Sequence, residues 1–431
     1  MVEKAFLVHI YFKGDDPGDA ASLLEELEEL VDTLGVPVVD RLLVYCAKPQ
    51  PKLLTGTGKA DELVELARDA GADVIVIDND LAPSQQRCWE KLSGICVIDR
   101  EEVILDIFSN RAFTREARLQ VDLAQMVYSL PRLTRAWTHL NRQSGSGGVG
   151  LRGEGEMQLE VDRRIVRRRI DKLKHELKAV RRQRATQRKE RQRLPVSHAA
   201  IVGYTNSGKS SLLHRLTGAD VLIEDKLFAT LDTTTRKIRL PDGQTLLLTD
   251  TVGFVRRLPH GLVEAFKATL EEAVLADFRI HLLDASHERV DEFYRTTMEV
   301  LEELGADPAH IVTVFNKIDQ VDEPGRRAIL RHTYPDAVFI SARTGEGIET
   351  LQHQLADELR HLVDQVGYLI PARRSDLVSL LHDNAKVLTT EYEGSDVRLR
   401  AIVPHRMRDR FRTYEVETSA VASGTEHDLP A

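Results

Sequence analysis

At 431 residues, with 42% apolar and 29% charged side chains, the chain carries enough apolar surface for several cores, and three domains account for it better than one. No segment approaches the roughly eighteen unbroken apolar residues of a membrane helix, and Met1-Val2-Glu3-Lys4 opens no secretory leader, so a cytoplasmic protein is expected. Cys46, Cys88 and Cys96 and fifteen scattered histidines lack the spacing of a disulfide framework or a zinc site, and the cysteines read as ordinary core thiols.

The first unit, residues 1–112, alternates strands and helices. Ala5 to Phe12 and Asp73 to Asp78 read as largely buried strands, Asp19 to Thr33 and Lys59 to Ala70 have helical periodicity, and this alternation favours a parallel sheet. Thr55-Gly56-Thr57-Gly58-Lys59 lacks the spacing of a phosphate loop and is a turn into a helix.

Residues 113–195 form a second unit with an unusual charge. The whole chain carries −9, but from Glu160 to Arg193 fifteen Lys/Arg face five acids, a local +10 that leaves −19 elsewhere. Such asymmetry points to one face that meets a polyanion, nucleic acid or a ribonucleoprotein. Leu159, Val166, Ile170, Leu173, Leu177 and Val180 form an apolar seam along this basic helix. Leu119, Leu123, Met126, Leu130, Leu133, Trp137 and Leu140 form another, with a break at Pro131. Two such seams bury each other as a long antiparallel helical hairpin. Its tip is the loop 144–156, which holds six glycines and Arg152. Glycine lets backbone approach RNA closely, and Arg152 can reach a phosphate or stack on a base.

The third unit, residues 196–365, carries the chemistry. Ala199 to Val202 is an apolar strand, Gly203-Tyr204-Thr205-Asn206-Ser207-Gly208-Lys209-Ser210 is a P-loop, and Ser211 to Leu216 continues as a helix. In that motif the loop N–H groups converge on phosphate oxygens, Lys209 adds positive charge, and Ser210 offers a hydroxyl to Mg²⁺. Phe228-Ala229-Thr230-Leu231-Asp232-Thr233-Thr234-Thr235 lies where a first switch belongs, with four threonines as candidate Mg²⁺ ligands. Leu246 to Asp250 is a strand ending in a carboxylate, and Thr251-Val252-Gly253 then presents a γ-phosphate-sensing glycine. Asn316-Lys317-Ile318-Asp319 reads the base, because Asp319 accepts from two guanine N–H groups that adenine lacks. Ser341-Ala342-Arg343, after the strand Val338 to Ile340, brings backbone to the guanine carbonyl. Lys209, Gly253 and one of these switch threonines are the catalytic candidates, with GTP and GDP as ligands.

After this core, Arg360 to Gly367 is expected to end the last helix. Residues 366–417 form a small α+β domain, with a helix over Asp376 to Leu388 and a hairpin over Glu391 to Val403. The polar stretch 418–431 is expected to lack fixed structure. The fold class is therefore α/β: a P-loop GTPase domain between an α/β amino-terminal domain with its helical hairpin and the small carboxyl-terminal domain.

These motifs together resemble the bacterial GTPase family HflX over nearly the whole chain. The likeness is carried by Gly148-Val149-Gly150-Leu151-Arg152-Gly153-Glu154-Gly155-Glu156-Met157-Gln158-Leu159-Glu160, Asp162-Arg163-Arg164, Gly203 to Asn206, Leu227 to Asp232 and Asp250-Thr251-Val252-Gly253-Phe254. The resemblance places the switch threonine at Thr230, beside Ser210 on Mg²⁺. It implies a monomeric GTPase that binds the 50S subunit and the 70S ribosome through 23S rRNA, with the arm tip near the peptidyl-transferase region, and that splits stalled ribosomes under stress. Arg152, Arg163, Arg164, Arg167 and Arg168 are then the RNA-contact candidates. The resemblance also implies an rRNA-binding amino-terminal unit, leaves ATP open as its ligand, and leaves peripheral membrane association open.

Glu154, Met157 and Thr233 depart from proline, threonine and proline in many relatives, and a negative charge at Glu154 opposes phosphate contact. Phe254 stands where many GTPases place a water-orienting glutamine, so hydrolysis by the free protein is expected to be slow. Asn206 is similar to the P-loop asparagine of GTPases assisted by potassium, which suggests K⁺ beside Mg²⁺. Arg256 and Arg257 read as a solvated surface pair. Two alternatives share parts of the pattern: a ribosome-assembly GTPase of the Era or Obg kind, and an ATP-driven RNA-remodelling enzyme.

Overall fold

The structure, a computed structural model, describes residues 4–133, 154–192, 196–218, 227–228, 231, 233–257, 272–306, 310–321, 323–361 and 363–416. In the first unit β1 (Ala5–Phe12), α1 (Pro17–Thr33), β2 (Val38–Cys46), α2 (Thr57–Asp69), β3 (Val74–Ile77), α3 (Pro83–Ser93), β4 (Cys96–Asp99) and α4 (Arg100–Arg111) follow one another. The sheet order is β2-β1-β3-β4 with every pair parallel, as expected. β1 is apolar at every position but His9 because both of its faces are covered. Ala5 and Leu7 pack with Leu24, Leu27 and Phe108, while Phe6, Val8 and Ile10 pack with Leu63, Val64 and Trp89. Thr57 begins α2 with Gly56 as its N-cap, so the Thr-Gly-Thr-Gly-Lys string is indeed a helix entry. Of the three cysteines, Cys46 and Cys88 are half-buried against this core, whereas Cys96 departs from expectation and is exposed.

α5 (Arg115–Ser129) presents two faces. Ala117, Val121, Ala124 and Tyr128 join the core of the first unit, whereas Leu119, with Leu123 and Met126 beside it, packs on Leu173, Leu177 and Val180 of α6 (Glu154–Gln192). The break at Pro131 is present as a 3-10 turn over Leu130–Arg132. The connection between α5 and α6 lies outside the described residues, and with it Arg152, Trp137, Leu140 and residues 144–153 of the expected tip. Glu154, Gly155 and Glu156, expected in that loop, instead open α6. Acids in a first helical turn interact favourably with the positive end of the helix dipole.

The second sheet has the order β10-β9-β8-β5-β7-β6. It comprises β5 (Ser197–Gly203), β6 (Thr234–Arg239), β7 (Thr245–Asp250), β8 (Phe278–Asp284), β9 (Ile311–Asn316) and β10 (Val338–Phe339), with α7 (Lys209–Thr217), α8 (Val290–Glu303), α9 (Pro324–Thr333) and α10 (Ile348–His361) among its helices. Only β6 runs antiparallel to its neighbour within this sheet. The chain turns to opposite sides of β5, so the carboxyl end of β5 is the switch point at which an open α/β sheet binds ligand.

The third sheet, β12-β13-β11-β14, is antiparallel. It consists of β11 (Val363–Pro371), β12 (Lys386–Glu393), β13 (Asp396–Pro404) and β14 (Glu415–Val416), covered by α11 (Ser375–Asn384) and α12 (His405–Phe411). The expected hairpin is β12–β13. The helix expected to reach Gly367 ends at His361, and Val363 already begins β11. Val366, Tyr368 and Ile370 alternate into the core, a two-residue period that fits a strand and not a helix.

Candidate nucleotide site

The P-loop leaves β5 at its switch point and enters α7. Lys209 Nζ is buried and donates to the Gly203 carbonyl at 3.2 Å and the Tyr204 carbonyl at 2.7 Å. Burial pushes its ammonium down to about 8, against the pull of the Asp250 carboxylate. Ser210 Oγ donates to Asp250 Oδ2 at 2.6 Å, which brings the first residue after the P-loop lysine onto the carboxylate at the end of β7. Thr205 Oγ1 and Ser207 Oγ are buried and make no hydrogen bond among the described residues, so two loop hydroxyls are open to a ligand oxygen. Asn206 is exposed with φ +60°.

Two glycines are required by close approach. Gly208 has φ +90°, and a Cβ there would lie 2.3 Å from Asn316 Nδ2. A Cβ on Gly253 would lie 2.8 Å from Thr205 Cα and 2.9 Å from Lys209 Nζ. The Asp250-Thr251-Val252-Gly253 turn therefore rests directly on the phosphate loop. Thr251 Oγ1 donates to the Ile201 carbonyl at 2.7 Å, which is an anchoring contact within the sheet, and Val252 is buried.

The base side is tied to the phosphate side through Asn316. Its Nδ2 donates to the Ser207 carbonyl at 2.8 Å and its Oδ1 accepts from Ala342 N–H at 2.9 Å. Lys317 (φ +60°) reaches Asp284 at 2.8 Å, and Ile318 N–H donates to the Ile340 carbonyl at 3.2 Å. Asp319 pairs with Arg343, whose side chain is 73% exposed. Burial of Asp319 opposes ionisation, but a hydrogen bond from Ser341 and the Arg343 guanidinium hold its carboxyl below the usual carboxylate range. The carboxylate is thus ready to accept from two N–H groups.

Of the first switch, Phe228 and Leu231 are buried, and the Phe228 ring meets Phe108 of α4 edge-on at 4.7 Å. Ala229, Thr230 and Asp232 lie outside the described residues. Among the competing threonines, Thr234 and Thr235 belong to β6, and the Thr235 hydroxyl is engaged with Thr249 at 2.7 Å. Arg164, Arg167 and Arg168 are exposed on α6 and Arg163 is half-buried.

Sequence reasoning misplaced one residue and overlooked its partners. Arg256 is not solvated: it is 6% exposed and its guanidinium bonds Glu26 at 3.0 Å, Asp19 at 3.0 Å, Glu292 at 3.2 Å and Ser22 at 2.9 Å. Arg257 is exposed as expected. Tyr204, read only as a loop position, places its hydroxyl between Glu26 Oε2, to which it donates at 2.6 Å, and Arg256 N–H, from which it accepts at 2.7 Å. Burial, with Glu26 beside it, pushes that hydroxyl well above its ordinary pKa, so it stays protonated and donating. Arg100 pairs with Glu26 and, at 2.7 Å, with Asp78. No local signal announces these contacts, since they join residues far apart in the chain. Beside Lys209, burial and that ammonium push His281 down to about 3, which keeps its ring neutral.

Comparison with known proteins gives the same assignment. Residues 21–109 match a family model described as GTP-binding GTPase N-terminal, residues 111–191 one described as GTP-binding GTPase Middle Region, and residues 198–317 one described as 50S ribosome-binding GTPase. The chain is 52% identical to GTPase HflX of Akkermansia muciniphila, over 96% of this chain and 97% of that one. It is 42% identical to GTPase HflX of Chlamydia pneumoniae over 95% and 88%, and 43% identical to that of Escherichia coli K12 over 88% of each. The chain belongs to the HflX GTPase family. As an HflX GTPase it binds GTP and hydrolyses it. Among the described residues, no helix of this HflX protein is long and apolar enough to cross a membrane.

Proposed function

We propose that this HflX GTPase binds the large ribosomal subunit with its basic arm and uses GTP to split stalled or idle 70S ribosomes under stress. The observation that carries the reading is α6: 39 residues, roughly 58 Å at 1.5 Å per residue, bearing exposed Arg164, Arg167 and Arg168 and rooted through α5 in the unit that grips the second switch, the segment Asp250 to Arg257. The likeness of residues 198–317 to a family described as 50S ribosome-binding supports the same partner. Arg152 and Arg163 complete the proposed rRNA contacts.

At the nucleotide, Gly203 to Ser210 cradle the phosphates, Lys209 neutralises them, and Gly253 N–H meets the γ-phosphate. Asn316, Asp319 and the Ser341-Ala342-Arg343 backbone select guanine. The hard oxygens of Ser210 and Asp250 converge at 2.6 Å, a donor set suited to Mg²⁺, with Thr230 of the first switch as the further ligand. Mg²⁺ held by these residues would supply charge neutralisation to the phosphates. Phe254 cannot orient the attacking water, so the free protein is slow and the ribosome accelerates it. Asn206 favours K⁺ as an additional cation. The protein acts in the cytoplasm as a monomer.

The test is sucrose-gradient analysis of 70S ribosomes mixed with the protein and GTP, a nonhydrolysable GTP analogue, GDP or ATP. Free 50S and 30S subunits appear with GTP and the analogue, and not with GDP or ATP. Reversing the charges of Arg164, Arg167 and Arg168 together abolishes the effect while leaving nucleotide affinity intact. Splitting driven by ATP alone, or association confined to precursor subunits, defeats the proposal.

A further inference from the structure

The carboxyl ends of β1 and β3 are where a parallel sheet of this kind ordinarily receives a ligand. Here that edge meets the second switch. His9 and Asp78 pair at 2.7 Å, Asp78 holds Arg100, and Arg100 donates to the Arg256 carbonyl at 3.3 Å. From α1, Glu26 completes the contact. It is 7% exposed, accepts from Arg100 on one oxygen, and accepts from Tyr204 and Arg256 on the other. One carboxylate thus joins the amino-terminal unit, the phosphate loop and the second switch.

The segment after Gly253 is clasped along its backbone. Phe254 N–H donates to the Gly203 carbonyl at 3.0 Å, and the Phe254 carbonyl accepts from Thr205 N–H at 2.7 Å. Arg256 N–H is held by the Tyr204 hydroxyl at 2.7 Å. Gly253 is meanwhile pressed on Lys209 and Thr205, as the 2.8 Å and 2.9 Å distances to a hypothetical Cβ show. A terminal phosphoryl group seated between Lys209 and the Gly253 N–H has to widen that contact. A diphosphate does not.

We infer that Glu26 is a positioning residue of the GTPase cycle: acting through Tyr204 and Arg256, it clasps the second switch against the phosphate loop and so sets how strongly the site prefers diphosphate over triphosphate. Binding of GTP works against this clasp, and by linkage it loosens the grip of the amino-terminal unit on the switch. The inference concerns the nucleotide site alone and does not depend on the ribosome as partner.

The experiment is equilibrium binding of GDP and of a nonhydrolysable GTP analogue to the full chain and to Glu26→Gln, Tyr204→Phe and the double variant, with Tm recorded for each. Glu26→Gln keeps the shape but removes the charge. Tyr204→Phe removes only the hydroxyl and keeps the ring stacked on Phe293 at 3.9 Å. Each single variant shifts the ratio of the two dissociation constants about five- to tenfold toward the triphosphate. The double variant shifts it by less than the product of the two, because the Tyr204–Glu26 bond is common to both. A merely structural role lowers Tm and leaves the ratio alone. Should Glu26→Gln fail to fold, Tyr204→Phe alone decides. Ratios within twofold of the native value in every folded variant overturn the inference.

Discussion

Asn316 Nδ2 donates to the Ser207 carbonyl at 2.8 Å, so the residue that opens the guanine motif also braces the phosphate loop. Its oxygen holds Ala342 N–H, and the three ligand-facing strings are therefore one hydrogen-bonded body. Asn316→Ala leaves a carbonyl and an N–H without their partner, a loss of about 1–3 kcal/mol. GDP and a GTP analogue are expected to weaken together, by roughly tenfold to a hundredfold, in a fluorescence titration. Weakening of only one of them contradicts a shared brace.

Asp319 is the proposed source of guanine selectivity. Its carboxylate is held ionised by Ser341 and Arg343 despite burial, and it can only accept hydrogen bonds. Asp319→Asn presents a donor in its place, clashes with the guanine N–H groups and suits the carbonyl of xanthine. Affinity for GDP is expected to fall by about a hundredfold or more while xanthosine diphosphate gains. Competition binding with both nucleotides reads this directly, and unchanged preference for GDP assigns the selectivity elsewhere.

Lys209 gives nucleotide binding a pH dependence. Burial lowers its folded value from 10.5 to about 8, so the nucleotide-free protein has lost half of that proton near pH 8. Phosphates require it charged. Binding therefore takes up a proton above about pH 8, and affinity falls with rising pH by up to tenfold per unit, whereas below that pH this group contributes no slope. Without nucleotide the unfolded chain binds the extra proton between the two pKa values, so the burial penalty is full below pH 8 and relieved above it. Calorimetry in buffers of different ionisation enthalpy, between about pH 7 and 9, measures the uptake. Zero uptake across that window refutes the assignment.

What was legible in the chain was what lay in short contiguous strings. Gly203 to Ser210, Asp250 to Gly253 and Asn316 to Asp319 come together because each caps the carboxyl end of a parallel strand, β5, β7 or β9, of one sheet. The buried run of β1 was legible for a similar reason, whereas β2, an edge strand interrupted by Asp40 and Arg41, was not. Arg256 looked like surface because its acids are remote: Glu26 lies 230 residues away and Asp19 lies 237. A buried ion network assembled across units has no periodicity and no motif. The boundary at the carboxyl end of α10 was obscured because Val363, Val366 and Tyr368 extend an apolar pattern in which only the change of period marks the strand.

Phe254 offers the sharpest test of how the site hydrolyses GTP. A glutamine there has the chemistry of the missing water-orienting group, yet the ring is 1% exposed and belongs to the core of the sheet. Its backbone is fixed on both sides, to Gly203 and Thr205. Phe254→Gln therefore places an amide in an apolar pocket and not beside the γ-phosphate. The cost is about 3 kcal/mol, from lost burial and an unsatisfied polar group. Single-turnover hydrolysis of GTP by the variant is expected to be no faster than native, with a Tm several degrees lower. A rise in the rate without loss of Tm shows that the side chain reaches the nucleotide, and that the second switch turns over where this structure holds it closed.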